Sequence, residues 1–146
     1  MINNASAINL APTETINMKR YDLMHQINVR GTFAFSKACI PYLKKSSNPH
    51  ILNMSPPISM KPEWFSGQTA YTMAKYGMSM VVVGLAEELS EYGIAVNALW
   101  PRTIIFTAAL QAIDASASTL DHICIDSENH LSVTNSWNDE TEQPSS

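Results

Sequence analysis

The chain has 146 residues, of which 45% are hydrophobic and 15% are charged, and its formal net charge is -4. These values are typical of one globular domain with enough apolar material for a core. The negative charge argues against a general nucleic-acid-binding protein, which needs a basic face to displace phosphate counterions. No apolar run approaches the roughly 20 residues that span a bilayer, and no signal-peptide pattern is recognised. The sequence therefore predicts an intracellular protein without nucleic-acid or membrane partners.

The first predicted elements are a short strand and a long helix. Met1-Ile2 is interpreted as the end of a strand, and it leads into the polar turn Asn3-Asn4-Ala5-Ser6. A helix is predicted from about residue 15 to about residue 45, with apolar and small side chains at a spacing of three to four. This predicted buried stripe consists of Met24, Ile27, Gly31, Ala34, Ala38 and Tyr42. Gly31 is expected to let another backbone come close to the helix.

Strands and helices alternate over the next part of the chain. His50–Met54 is predicted to be a strand that stops at Ser55-Pro56-Pro57, because two prolines cannot continue a central ladder. A second long helix is predicted from about Thr69 to Glu91, apolar nearly all round and ended by Gly93. Residues 94–100 resemble a third strand. The order strand, helix, strand, helix, strand indicates an α/β fold with parallel strands and right-handed crossovers.

The pattern of alternating elements fades after about residue 112. From Ser127 onward the chain is rich in Ser, Asn and acidic residues and contains no Lys or Arg, which is typical of disordered segments. The sequence therefore predicts a domain over residues 1–112 and a largely disordered acidic tail over residues 113–146. The four histidines are scattered and Cys39 and Cys124 are not spaced as metal ligands, so no metal site is predicted.

Polar or turn residues follow each of the three predicted strands. Asn3-Asn4 follows the first strand, Ser55 the second and Pro101 the third. Ligands bind at the carboxyl edge of open parallel sheets, where these residues should meet. The helix after Ser55 opens with Tyr71 and Lys75, which share a helix face because they are four residues apart. Since an ammonium beside a phenol favours the phenolate, the sequence predicts a lowered Tyr71 pKa and a general acid/base near neutral pH.

A Tyr and a Lys four residues apart are a weak signal alone, but five segments together resemble motifs of the short-chain dehydrogenase/reductase family. The segments are Asn3–Ser6, Ile27–Phe33, Ile51–Ser55, Ala70–Lys75 and Ile94–Pro101. Their order and spacing are similar to those of the family over roughly the first 110 residues. The resemblance implies a partial Rossmann-type, doubly wound parallel sheet that comprises the last strands and helices of the family's domain.

The resemblance also implies roles for individual residues. Tyr71 would exchange a proton with a substrate carbonyl or hydroxyl while hydride passes between the substrate and NADP or NAD. Lys75 would lower the Tyr71 pKa and hold the nicotinamide ribose, Asn28 would bind a water through its backbone, and Ser55 would steady the substrate oxygen. The implied catalytic residues are Tyr71, Lys75, Ser55 and Asn28, and the implied cofactor-binding residues are Asn4, Ala5, Lys75, Tyr71 and Pro101.

Some positions depart from the family's pattern. Ser55 lies further before Tyr71 than the family's serine usually does, and Pro56 occupies the place where many members have that serine. Ser59, which lies nearer to Tyr71, is the other candidate for the catalytic serine. Ser55 is favoured because it ends the predicted strand. Arg102 replaces the glycine that commonly follows the proline, which puts the cofactor contact there in doubt.

The five glycines form no Gly-rich turn of the kind that binds pyrophosphate at a helix N-terminus. In the family that turn precedes the matched segments, so the chain is interpreted as a fragment or a truncated product of impaired activity. Two hypotheses follow. The chain is an NAD(P)-dependent oxidoreductase for a lipid-like or steroid-like carbonyl or alcohol, or it is a non-catalytic module that interacts or dimerises through its two long helices. The resemblance implies a peroxisomal or mitochondrial location, although no targeting signal is recognised.

Overall fold

A computed structural model describes residues 1–101 of the chain. In chain order the elements are β1 (Ile2–Asn3), α1 (Met18–His25), a π-helical segment (Gln26–Gly31), α2 (Thr32–Leu43), β2 (His50–Met54), a 3-10 turn (Pro62–Trp64), α3 (Thr69–Glu88), a second 3-10 turn (Ser90–Tyr92) and β3 (Ala95–Leu99). The strands form one parallel sheet in the order β1-β2-β3, so the predicted α/β fold is confirmed. The predicted domain boundary at residue 112 and the predicted tail lie outside the described residues.

Within residues 1–101, no helix combines the length and apolarity needed to cross a bilayer. The same part of the chain contains no group of three or more His, Cys, Asp and Glu side chains that could hold a metal ion.

The central strand β2 joins the sheet to its main apolar core. Ile51 of β2 is fully buried and pairs with Val96 of β3, while Leu52 pairs with Ile2 of β1. Strands of a parallel sheet are apolar on both faces when helices cover them, which is the pattern of these residues. The buried core consists of Ile51, Val82, Leu85, Leu89, Ile94 and Val96. It fixes α3 against β2 and β3.

The predicted bounds of β2 are confirmed, whereas α3 ends earlier than predicted. The helix stops at Glu88 rather than at Glu91, because the chain tightens there into the 3-10 turn Ser90–Tyr92. Gly93 follows with a φ of 65°, in the left-handed region that glycine adopts without a steric cost. Gly93 thus ends the last helical turn before β3, but it caps the 3-10 turn and not α3 itself.

The first long helix buries a different face from the one predicted. Its buried residues are Met24, Asn28, Thr32 and Ser36, which follow one another at steps of four and so share one side of the helix. Ala34 and Ala38 are exposed, and Tyr42 is 77% exposed. Met24 is buried as predicted, but the predicted apolar stripe is wrong at Ala34, Ala38 and Tyr42, because most of the buried side chains are polar and hydropathy does not count the hydrogen bonds that make such burial favourable.

Gly77 of α3, and not Gly31, lies in close contact with another element. A Cβ added to Gly77 would lie 2.5 Å from Val29 Cγ2, whereas a Cβ at Gly31 would meet Gln26 O of its own segment at 3.4 Å. The predicted role of Gly31 is therefore wrong. Gly77 instead lets α3 pack directly against the π-helical segment. This contact fixes the position of that segment along the axis of α3.

Candidate active site

Asn28 lies fully buried in the π-helical segment between α1 and α2. Its Oδ1 accepts a hydrogen bond from Ala7 N at 2.7 Å, and its Nδ2 donates to Ala7 O at 2.9 Å. The Asn28 side chain thus makes two hydrogen bonds to the segment that follows β1. Single π-helical turns occur frequently at functional sites, and this one interrupts the predicted long helix at Asn28. The predicted water contact of its backbone stays a prediction.

Lys75 places a partly buried ammonium at the carboxyl end of the central strand. Its Nζ donates to Met54 O at 2.7 Å and lies 3.6 Å from Met78 Sδ. Burial lowers the pKa of Lys75 to about 8, because desolvation disfavours the charged form. At neutral pH the side chain is therefore mostly protonated, and it titrates much closer to neutrality than an exposed lysine does.

Tyr71 lies one turn before Lys75 on α3 and packs against the buried residues Met24, Ala70 and Ala74. Burial raises the pKa of Tyr71 above its ordinary value. The predicted lowering of this pKa is wrong for the structure described here, because the Lys75 ammonium donates to the Met54 carbonyl and desolvation dominates at the phenol. The hydroxyl is therefore protonated at neutral pH, which suits a proton donor.

Of the two candidate serines, the structure favours Ser55. Ser55 is 1% exposed, and among residues 1–101 its Oγ has no hydrogen-bond partner. A buried hydroxyl without a partner costs free energy, and a substrate oxygen could satisfy it. Ser59 is only half-buried, and its Oγ accepts a bond from Lys61 N at 3.4 Å. Ser55 also follows directly on Met54, whose carbonyl is the acceptor for Lys75.

The three remaining predicted cofactor residues lie at the same edge of the sheet. Asn4 and Ala5 are exposed just after β1, and Pro101 is partly buried just after β3. Because β2 is the central strand, Ser55 lies between these two positions. Small and polar groups at the carboxyl ends of parallel strands are suited to contact a nucleotide. Their cofactor-binding role stays a prediction.

A buried polar network lies beneath this edge of the sheet. The sequence did not predict it. Asn3 Nδ2 donates to Asn53 Oδ1 at 2.7 Å and to Ser36 Oγ at 3.1 Å, and Asn53 Nδ2 donates to Met78 O at 3.5 Å. The network links β1, α2, β2 and α3, and satisfied networks of this kind rigidify a core. The available signal was the asparagine that stands beside apolar residues in each of the short strands β1 and β2.

Comparisons with known proteins agree with this geometry. The family model described as short chain dehydrogenase matches residues 1–118. Hydroxysteroid dehydrogenase-like protein 2 of Danio rerio is 60% identical over 116 residues, which are 80% of this chain and 28% of that protein. The chain thus spans little more than a quarter of the length of this relative.

Two solved structures are similar to the chain. A short chain dehydrogenase from Mycobacterium thermoresistibile is 55% identical with a TM-score of 0.71, and the match covers 77% of this chain and 40% of that one. A metagenomic short-chain oxidoreductase in complex with NADP shares the fold at 23% identity and a TM-score of 0.58, over 70% of this chain and 46% of that one. Since the family model matches most of its length, the chain belongs to the short-chain dehydrogenase family of oxidoreductases.

Proposed function

We propose that this chain supplies the proton-transfer half of an NAD(P)-dependent site that interconverts a carbonyl and an alcohol. The main support is the buried Ser55 hydroxyl, which has no hydrogen-bond partner among residues 1–101 and follows the Met54 carbonyl that Lys75 contacts. Tyr71 lies one helical turn before Lys75. A proton donor, a hydroxyl and an ammonium therefore belong to one edge of the sheet, where ligands of such sheets bind.

In the proposed reduction, Tyr71 donates its proton to the substrate carbonyl oxygen as negative charge develops there. The raised pKa of Tyr71 keeps the hydroxyl protonated at neutral pH until the substrate oxygen becomes basic enough to take the proton. Ser55 donates a hydrogen bond to the same oxygen, which stabilises the developing charge. Lys75 turns from the Met54 carbonyl toward the phenolate that Tyr71 leaves behind and stabilises it electrostatically.

The nicotinamide cofactor supplies or accepts the hydride when it is bound. In the proposal Asn4 and Ala5 contact it at the end of β1, Pro101 contacts it at the end of β3, and Lys75 holds its ribose. The exposure of the first two residues leaves room for it. The proposed cofactor is NADP or NAD. Because the 146 residues include no Gly-rich turn, we expect weak cofactor binding and impaired turnover when this chain is tested by itself.

The proposed substrate is a lipid-like or steroid-like carbonyl or alcohol. One support is the name of the Danio rerio relative, hydroxysteroid dehydrogenase-like protein 2. A second support is an aromatic pair, since the rings of Trp64 and Trp100 lie 6.3 Å apart in an edge-to-face arrangement and Trp100 is 45% exposed directly after β3. Apolar ring surface near the sheet edge favours an apolar substrate. The peroxisome or the mitochondrion stays the proposed location, on the family resemblance alone.

The proposal is tested with a fluorescence titration of NADPH and NADH, followed by turnover of a steroid or fatty carbonyl. We expect Tyr71→Phe to abolish turnover and leave cofactor affinity nearly unchanged, because it removes the transferred proton and keeps the ring. Tyr42→Phe is the matched control, since Tyr42 is 77% exposed. Absence of binding at millimolar cofactor, or equal turnover in the Tyr71 variant, would reject the proposal for this chain.

The second candidate function is that of an interaction or dimerisation module. Several large apolar side chains on the helices are about half exposed, which marks an interaction surface. They are Leu23, Phe33, Met73, Met80 and Val83. A cavity of about 510 Å³ lies beside Phe33 and is also lined by Asp22 and Arg30. These two charges are eight residues apart on one helix, so an antiparallel two-fold pairing would place each beside its opposite in the second copy.

Sedimentation velocity tests this alternative. We expect a wild-type homodimer that dissociates in Phe33→Glu, because a buried unpaired charge at an interface is unfavourable. Lys37→Glu, an exposed change on the same helix, is the control for added negative charge. A monomeric wild-type chain at high micromolar concentration would reject the dimer.

A further inference from the structure

Helix α3 holds the end of β2 on both sides of Ser55. Lys75 Nζ donates to Met54 O, the carbonyl before Ser55, and Ser79 Oγ donates to Pro56 O, the carbonyl after it. Lys75 and Ser79 are four residues apart and therefore lie on the same face of the helix. Ser55 is thus placed between two backbone groups that are both fixed to α3.

The Pro56 carbonyl depends on a donor from outside its own turn. Neither Pro56 nor Pro57 has a backbone N–H, so this turn lacks the donors that strands and turns normally use. Ser79 is fully buried, and a buried hydroxyl or carbonyl costs free energy if it has no partner. The bond between them satisfies both groups. The other acceptor near Ser79 Oγ is Lys75 O of the same helix, at 3.3 Å, which takes over if Pro56 moves away.

The Ser55 hydroxyl differs from these groups because it is buried and has no partner among residues 1–101. Its neighbourhood is also fixed through Asn53 of the same strand, whose Oδ1 accepts from Asn3 Nδ2 and whose Nδ2 donates to Met78 O. A polar group that is held in place and left free to bind is pre-organised for a ligand.

We propose that Ser79 is a positioning residue: its hydroxyl fixes the Pro56 carbonyl on α3 and thereby orients the Ser55 hydroxyl beside the Met54 carbonyl that Lys75 contacts. The role at a substrate rests on the proposed function, because Ser55 and Lys75 act there on the substrate and its cofactor. Ser79 itself touches neither. Its contribution is the geometry of the end of β2.

Amide hydrogen exchange in the 146-residue chain tests this coupling. We expect Ser79→Ala to accelerate exchange of the Ser55 amide about tenfold, while the Val96 amide in β3 keeps its rate, because the loss is local. Ser79→Thr keeps a hydroxyl and should restore the slow rate. Ser90→Ala is the matched control, since it removes an exposed serine bond to a backbone carbonyl, from Ser90 Oγ to Glu87 O at 2.8 Å.

A second readout is the pH titration of the Lys75 ammonium by NMR. In Ser79→Ala the titration should shift toward the ordinary lysine value, since the loosened strand end lets water reach the ammonium, and Ser79→Thr should reverse the shift. An unchanged Ser55 rate in Ser79→Ala overturns the proposal. So does an equal acceleration at Ser55 and Val96, which would mean a general loss of stability.

Turnover separates this proposal from the proposed function. Where the chain turns over a carbonyl substrate, Ser79→Ala should lower kcat about tenfold and change KM less than twofold. A wild-type chain without turnover rejects the proposed function alone, and the exchange rates still decide whether Ser79 positions Ser55.

Discussion

The two long helical stretches of this chain differ in what they bury, since α3 buries mostly apolar side chains and the first stretch mostly polar ones. Helix α3 contributes the apolar side chains Val82 and Leu85 to the core below β2 and β3. The stretch from α1 through α2 instead buries Asn28, Thr32 and Ser36 on its inner side. An apolar face is stabilised roughly in proportion to the area it buries, whereas a polar face is stabilised only where its hydrogen bonds are made. Small displacements of helix α3 should therefore cost less stability than equal displacements of the first stretch.

The largest test of this contrast is Asn28→Ala. The change removes both hydrogen bonds to Ala7 and leaves its backbone N–H and carbonyl without these partners in a partly buried place. We expect a loss of about 3 kcal/mol in the free energy of unfolding, measured by urea denaturation. Gln26→Ala, an exposed change in the same π-helical segment, should alter stability by less than about 0.5 kcal/mol. A small effect of Asn28→Ala would mean that the polar face does not stabilise the fold.

The second test concerns the contact between the two stretches. Gly77→Ala would place a Cβ 2.5 Å from Val29 Cγ2, so we expect a loss of about 1–3 kcal/mol from overpacking. Gly84→Ala is the matched control on the same helix, because nothing lies within 4 Å of its added Cβ. It should stabilise the chain by about 0.5–1 kcal/mol through helix propensity. Combining Gly77→Ala with Val29→Ala should recover part of the loss, and no recovery would place the clash elsewhere.

The contrast also explains which features the sequence could predict. The parallel strands, the bounds of β2 and the end of the last helical turn at Gly93 follow from apolar runs, prolines and a glycine, which report on structure locally. The inner side of the first stretch could not be predicted, because its polar residues are stabilised by Ala7 and Asn3, which are distant in sequence. The clash that makes Gly77 necessary likewise involves a residue of another element.

The same division applies to the site. The helical spacing of Tyr71 and Lys75 and the end of β2 at Ser55 could be predicted from order and spacing. The pKa direction of Tyr71 could not, because it depends on how deeply the phenol is buried and on where the Lys75 side chain points. The role of Ser79 could not be predicted either, because an apolar helix face does not indicate that one of its serines contacts a proline carbonyl.

The pH dependence of stability tests the effect of the Lys75 ammonium, which α3 carries beside its apolar face. Below about pH 8 Lys75 is protonated in the folded and the unfolded chain, and its burial destabilises the fold. From there to the ordinary lysine value of 10.5 the unfolded chain holds more protons, so stability rises with pH. Between about pH 7 and pH 9.5 the wild-type chain should gain about 1–2 kcal/mol relative to Lys75→Met. Parallel stability curves for the two chains would contradict the lowered pKa of Lys75.

The smallest expected effect lies at the start of α1, where a polar side chain stabilises the helix by a local bond. Asn17 Oδ1 accepts a hydrogen bond from Lys19 N at 2.9 Å and so satisfies a donor that the first helical turn leaves free. We expect Asn17→Ala to cost about 1 kcal/mol in urea denaturation, and Asn17→Asp to cost less because aspartate keeps the acceptor. Asn48→Ala, an exposed change outside the helices, is the control. If Asn17→Ala cost as much as Asn28→Ala, the buried bonds to Ala7 would contribute no more than an exposed cap, and the two stretches would not differ in the way their buried faces imply.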